Sequence, residues 1–200
     1  MFFSSPAWDS VVYWALDLET GGLDPKRDPI VALGMLPIRG GRVRLGEGYR
    51  TLVRPADGRA IDPHSVRAHQ LVWGEVKDAP EVAEVLPEVD RRLAEGVLLV
   101  HHRAIDVTFL KDAYRRCGMK WPAPPVVDTV DLLVKQAHKA HLARPELPAD
   151  PPALNLSAAR ELNGLPPYQA HDALTDALAT AELFLVLRHA LGARTLRDLR

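Results

Sequence analysis

The 200-residue chain has a single cysteine, Cys117. No disulfide can form within it and no cysteine-rich zinc site can be built. A reducing compartment is the simplest setting for such a chain. An excess of either charge is also missing: 25 Lys and Arg against 26 Asp and Glu leave a net charge of −1. That excludes a broad basic face gripping duplex nucleic acid over many phosphates, but not a cleft that holds a few nucleotides through bound cations. No apolar run approaches the ~20 residues that cross a bilayer. The opening MFFSSPAWDS has no basic segment leading into a long apolar one, so it does not read as a signal peptide. A soluble cytoplasmic protein without membrane contact is expected. No internal repeat is visible. The 47% hydrophobic content is enough for one sizeable core, and the length suits one domain with short appendages. That domain is expected over residues 10–192, with extensions at 1–9 and 193–200, and Trp8 is placed to pack back.

The stretch that organises the chain is VVYWALDLET, residues 11–20. Its β-branched and aromatic first half favours a strand. Positions two apart on a strand share a face, so Asp17 and Glu19 project together while Leu16 and Leu18 point into an apolar layer. Two like charges at the end of a buried strand repel, and a shared proton or a bound cation offsets that. The alternative is a solvated edge with two surface acids.

Ile30 to Ile38 and Arg42 to Val53 read as two further strands joined by Gly40-Gly41, forming a meander with the first. Residues 55–63 read as a loop and His64 to Leu71 as a short helix. Asp78-Ala79-Pro80-Glu81 is a helix start, followed by Val82, Val85, Leu86, Val89 and Leu93 at helical spacing; Pro87 is placed to kink the run and Gly96 to end it. Val97 to Val100 is a wholly apolar strand of the kind buried on both faces. It runs into His101-His102 and a helix that Gly118 closes. Val126-Val127 is a short strand, Asp128 to about Leu142 a helix, and 143–153 a proline-rich linker. Leu156 to Leu162 is a helix capped by Asn155. The last helix runs from about Asp172 to Leu191, with an apolar stripe of Leu174, Ala177, Leu178, Ala181, Phe184 and Leu185. A strand meander followed by alternating helices and short strands implies an α/β fold, a mixed sheet with helices on both faces.

Three residues can join the pair. Asp106 lies on the first turn of the helix after strand 97–100, and open α/β sheets gather their sites at the carboxyl ends of strands. Asp176 lies one turn inside the last helix and His171 just precedes it. Read alone, Asp106 serves equally as a helix-dipole acid, and Asp172 as the N-cap of the last helix. Four carboxylates and one histidine have a chemical use together. Carboxylates bind Mg²⁺ or Mn²⁺, two such ions hold the attacking and leaving oxygens of a phosphodiester, and histidine takes a proton near neutral pH.

DLETGGLDP (17–25), HHRAIDVTFL (101–110) and HDALTDA (171–177) resemble the three motifs of the DEDDh 3′→5′ exonucleases, the proofreading ε-subunit-like branch of the DnaQ superfamily. IDPHSVRAHQLVWGEVKDAP (61–80) is similar to that family's segment between the first two motifs. The resemblance covers about residues 10–190. It implies a ribonuclease H-like fold with a five-stranded mixed sheet. It implies two divalent ions, Mg²⁺ or Mn²⁺, held by Asp17, Glu19, Asp106 and Asp176, with His171 as general base and nucleoside 5′-monophosphates as product. It places Thr20, Gly21, Leu23, His69 and His101 at the terminal nucleotide. Partners so implied are single-stranded DNA or RNA 3′ ends and a DNA polymerase catalytic subunit, in proofreading, replication or repair. An RNA-directed enzyme of the same family and a non-catalytic nucleic-acid-binding subunit are the alternatives.

Three stretches depart from the family's pattern. His102 stands where the second motif usually has Asn, Ile105 where it has Phe, and Ala32-Leu33-Gly34 where strand two frequently reads Glu-Ile-Gly. None removes a metal ligand or the base. His138 and His141 have zinc spacing but no third ligand nearby in sequence, which favours a solvated helix face. Trp14 and Trp73 read as core or pocket wall, with base stacking open to Trp73.

Overall fold

The structure is a computed structural model that describes residues 5–56, 59–94, 96–146 and 151–200. Parts of three expected segments lie outside the described residues: 1–4 of the N-terminal extension, 57–58 of the 55–63 loop and 147–150 of the proline-rich linker.

Strand β1 (Val12–Thr20) is the centre of the sheet. It pairs antiparallel with β2 (Ile30–Arg39) and parallel with β5 (Gly96–Val100), which pairs parallel with β6 (Val126–Asp128). The expected third strand is not continuous. It is split into β3 (Arg42–Val43) and β4 (Tyr49–Leu52) by a 3₁₀ turn at Leu45–Glu47. β3 pairs with Ile38–Arg39 and β4 with Ala32–Met35. Both pieces therefore lie along the same edge of β2, and six strands fill five positions. The even apolar spacing of 43–51 is misleading because the Glu47 N–H donates to the Arg44 carbonyl at 3.0 Å and the Gly48 N–H to the Leu45 carbonyl at 3.1 Å, which turns the backbone between the two pairings.

Alternation along β1 assigns its side chains to two cores. Trp14, Leu16 and Leu18 pack with α3 (Val82–Leu93) and α4 (Arg103–Arg116) on one face. Tyr13 and Ala15 pack on the other face with α5 (Thr129–Ala143), α6 (Leu156–Leu162) and α7 (Ala173–Leu191). By the same alternation Asp17 and Glu19 belong to the α7 face. Helix α3 runs through Pro87 without interruption and stops at Leu93; Gly96 does not end it but opens β5. Two short helices precede it: α1 (Pro63–His69), and α2 (Trp73–Val76), which the sequence pattern did not indicate.

Helix α7 buries more than the expected stripe. Ala173, Asp176, Ala177, Ala179, Thr180, Ala181, Leu183, Phe184 and Leu187 are buried, while Leu174, Leu178 and Leu185 are only partly so. The cause is its place between the sheet and helices α5 and α6, where small residues permit close approach. Gly34 on β2 is the tightest point. A Cβ there would stand 2.3 Å from the Ala173 carbonyl, so β2 meets the first turn of α7 backbone to backbone.

The terminal segments pair with each other. Ala7 bridges Thr195, the Arg188 guanidinium lies 4.0 Å from the Trp8 ring centre, and Leu199 is fully buried. Among the described residues no helix is long and apolar enough to cross a membrane.

Candidate active site

Three of the expected acids meet. Asp17, Glu19 and Asp176 each offer an oxygen within 4.8 Å of the others. β1 supplies the first two on one face, and the first turn of α7 supplies the third. Asp106 is not in that triad. It lies buried on the first turn of α4, and its charge is the foremost electrostatic influence on Asp17.

The electrostatics follow from crowding. Burial, then the charges of Asp106, Asp176, Glu19 and Asp172, hold the Asp17 carboxyl well above the usual range. Burial and the charges of Asp176 and Asp172 push Glu19 up to about 7. Burial raises Asp106 too, against the opposing backbone N–H groups of Leu18 and of Asp106 itself. Glu19 Oε1 and Asp176 Oδ1 are buried without a hydrogen-bond partner among the described residues. Acceptor oxygens left bare beside one another are a donor set suited to a hard divalent cation. Asp17, Glu19 and Asp176 could therefore hold a metal ion.

Backbone geometry fixes the histidines. His171 has φ 70°, and its backbone N–H donates to Asp176 Oδ2 at 2.8 Å. Its exposed ring lines a cleft of about 460 Å³ together with Glu19, His69, Arg50 and Asp172. Asp172 caps α7 as expected, accepting from the Thr175 backbone N–H at 3.0 Å. His69, the last residue of α1, is buried in the same cleft. Burial lowers its pKa, the Thr20 carbonyl opposes this, and His171 lowers it further. Thr20 Oγ1 donates to the Gly22 carbonyl at 2.7 Å. The Gly21 N–H donates to the Pro29 carbonyl, and its own carbonyl accepts from Asp62 N–H, both at 2.7 Å. Leu23 projects outward, 82% exposed.

His101 is differently employed. Its Nε2–H donates to the Leu154 carbonyl at 2.8 Å, and Nδ1 meets Thr129 Oγ1 at 2.7 Å. Both ring nitrogens are engaged, so this side chain ties β5 to the start of α5 and to the 151–155 segment.

Sequence reasoning overlooked three residues. Asp128, buried at the end of β6, accepts backbone N–H groups from His102 at 3.0 Å, Arg103 at 2.8 Å and Val130 at 2.9 Å. It thus holds the entrance of α4, on which Asp106 sits. Arg50 on β4 pairs with Asp172 at 2.6 Å and ties the start of α7 to the sheet. The Tyr168 hydroxyl lies beside Asp176, and burial together with that carboxylate raises its pKa. Only Asp128 left a signal, an acid ending an apolar strand as Asp17 and Glu19 do.

A mixed sheet that gathers buried carboxylates at the carboxyl ends of β1 and β5, beside a histidine at a helix entrance, is the ribonuclease H-like nuclease architecture. The chain belongs to the exonuclease family of the DnaQ superfamily: that family's profile, RNase_T, matches residues 14–184. It is 36% identical over 192 residues to a DNA polymerase III subunit epsilon-like protein of Rhodobacter capsulatus, covering 94% of this chain and 25% of that one. It is 31% identical over 171 residues to DNA polymerase III PolC-type of Thermotoga maritima, covering 85% of this chain and 11% of that one. The chain thus spans a quarter or less of these relatives. The fold is shared with Escherichia coli exonuclease I in complex with a dA16 oligonucleotide, at TM-score 0.76 and 20% identity, over 91% of this chain and 42% of that one.

Proposed function

We propose that this chain is a metal-dependent 3′→5′ exonuclease that hydrolyses the terminal phosphodiester of single-stranded DNA and releases nucleoside 5′-monophosphates. The observation that carries this reading is the convergence of Asp17, Glu19 and Asp176 within 4.8 Å, beside His171 and with Asp106 at the same end of the sheet. In the proposal these four acids hold two Mg²⁺ or Mn²⁺ ions. When bound, such ions polarise the phosphodiester and neutralise the charge that develops on its oxygens.

The chain's own residues supply the rest. His171 takes the proton of the attacking water, its position set by the backbone hydrogen bond to Asp176. Thr20, Gly21 and Leu23 line the seat of the terminal nucleotide, with His69 closing it from α1. His101 serves that seat indirectly, as a strut. DNA is favoured over RNA because the polymerase-subunit relatives are DNA enzymes by name. The same relatives make a DNA polymerase catalytic subunit the proposed partner.

The test uses 3′-labelled single strands with Mn²⁺, with and without EDTA. The wild-type protein is expected to release mononucleotides only without EDTA. Asp17→Ala should abolish release, and His171→Ala should slow it by roughly 10²–10⁴-fold, the usual worth of a general base. Equal digestion by all three proteins would reject the assignment. Binding without digestion by the wild type would make the chain a binding subunit, and faster digestion of matched RNA would reassign the substrate.

A further inference from the structure

Of the four tryptophans, three have ring partners. Trp8 lies under Arg188, Trp14 is buried between Arg39 and Arg92, and Trp121 meets Tyr114 edge-on at 5.2 Å. Trp73 has neither an aromatic ring nor a guanidinium as neighbour among the described residues, and it is 52% exposed. An indole left in water needs a reason, since its apolar faces favour burial. Position is the first clue. His69, Gln70 and Leu71 line the candidate active-site cleft with Glu19 and His171. Trp73 follows Leu71 by two residues, a reach of at most ~7 Å.

Fixed placement is the second. After α1 the chain reverses at Gln70, φ 61°. Leu71 N–H donates to His69 Nδ1 at 3.0 Å, Val72 N–H to Glu75 at 2.9 Å, and Val76 is fully buried. Helix α2 is thus pinned by Val76 and by these bonds, while its first residue faces solvent beside the exposed Val72. With no net positive charge, the chain has no broad basic face for the phosphates of a strand upstream of its end. An exposed indole two residues beyond the cleft's lining supplies a hold of another kind, because every base has a face to stack on.

Resting on the exonuclease reading above, we propose that Trp73 is a stacking platform for a base just upstream of the terminal nucleotide of a single strand. The residue is a binding element, and no proton or bond change is assigned to it.

The experiment compares wild type, Trp73→Ala and Trp73→Phe on an oligothymidylate and on the same strand with one abasic position, moved from the second to the fourth nucleotide from the 3′ end. KM and kcat are measured with Mn²⁺, and Kd with Ca²⁺ by fluorescence. Trp73→Ala should raise KM and Kd roughly tenfold with kcat nearly unchanged, and Trp73→Phe should restore most of the loss. One abasic position should weaken the wild type but leave Trp73→Ala indifferent. Fluorescence quenching on binding should be lost in Trp73→Phe. Equal KM and Kd for wild type and Trp73→Ala, or equal abasic penalties in both, would overturn the proposal. Absence of digestion by the wild type would defeat the exonuclease reading, while Kd and quenching would still decide the stacking.

Discussion

Single residues carry strain that the motifs only hint at. His102 has φ 77° at the entrance of α4, a left-handed conformation in which Asn and His are both over-represented among non-glycine residues. That is a physical reason for Asn to be common there in the family and for His to be tolerated. His102→Asn is therefore expected to keep activity and to change stability by no more than about 0.5 kcal/mol, read from urea denaturation. Asp128 should be far less forgiving, because three backbone N–H groups depend on it. Asp128→Ala is expected to cost about 3 kcal/mol, with divalent-ion affinity weakened as well, since the turn bearing Asp106 loses its tether. Isothermal titration with Mn²⁺ beside the denaturation curve separates the two effects. Affinity unchanged in Asp128→Ala would show that α4 is held by packing alone.

At the scale of elements, the site depends on how closely α7 approaches β2. Gly34 gives up a side chain so that Ala173 can touch the strand, and Asp176 lies one turn further along the same helix. Gly34→Ala is expected to destabilise the fold by roughly 1–3 kcal/mol, the usual cost of overpacking. It should lower kcat well beyond what any loss of folded protein explains, because the first turn of α7 must shift away from Asp17 and Glu19. Thermal melts together with rates at saturating substrate test this, and full kcat in a folded Gly34→Ala protein would mean that the turn's position is not critical. Nothing in the sequence pattern indicated this contact. Apolar patterning found β1, β2, β5, α3 and α7, and caps or closing glycines marked α4 and α6. Patterning missed the break at Leu45–Glu47 and the one-turn helix α2, where a few backbone hydrogen bonds decide the local path and no long apolar face forms.

The whole molecule collects negative charge at one end of its sheet and leaves it poorly offset. Glu19 is held at about 7 against a usual 4.5, and Asp17 and Asp106 are also raised. Carboxyl groups with raised folded pKa values bind protons more tightly in the folded than in the unfolded state. Their contribution to stability is full below about 4.5 and is lost as pH climbs through about 7. In EDTA the melting temperature is therefore expected to fall between about pH 5 and pH 8. Glu19→Gln should flatten that fall, and Mn²⁺ should reverse it at the alkaline end, where a cation replaces the lost protons. A melting temperature in EDTA that rises with pH over this window would show that the acids do not crowd one another.

The sequence by itself determined the strand that presents Asp17 and Glu19 on one face, the helix entrances that bear Asp106 and Asp176, and the left-to-right order of apolar and polar segments. These are local matters, settled by side-chain period, caps and turn residues within a few positions. Tertiary structure alone decided that β1 is the central strand, that Asp176 closes on Asp17 and Glu19, and that His101 spends both nitrogens on Thr129 and Leu154. It alone decided that Asp128 and Arg50 tether the helices that bring the acids in. Distances between groups a hundred residues apart depend on how closely helix and sheet can pack. That closeness is set by absent side chains, as at Gly34, and by single buried hydrogen bonds, neither of which leaves a period in the chain.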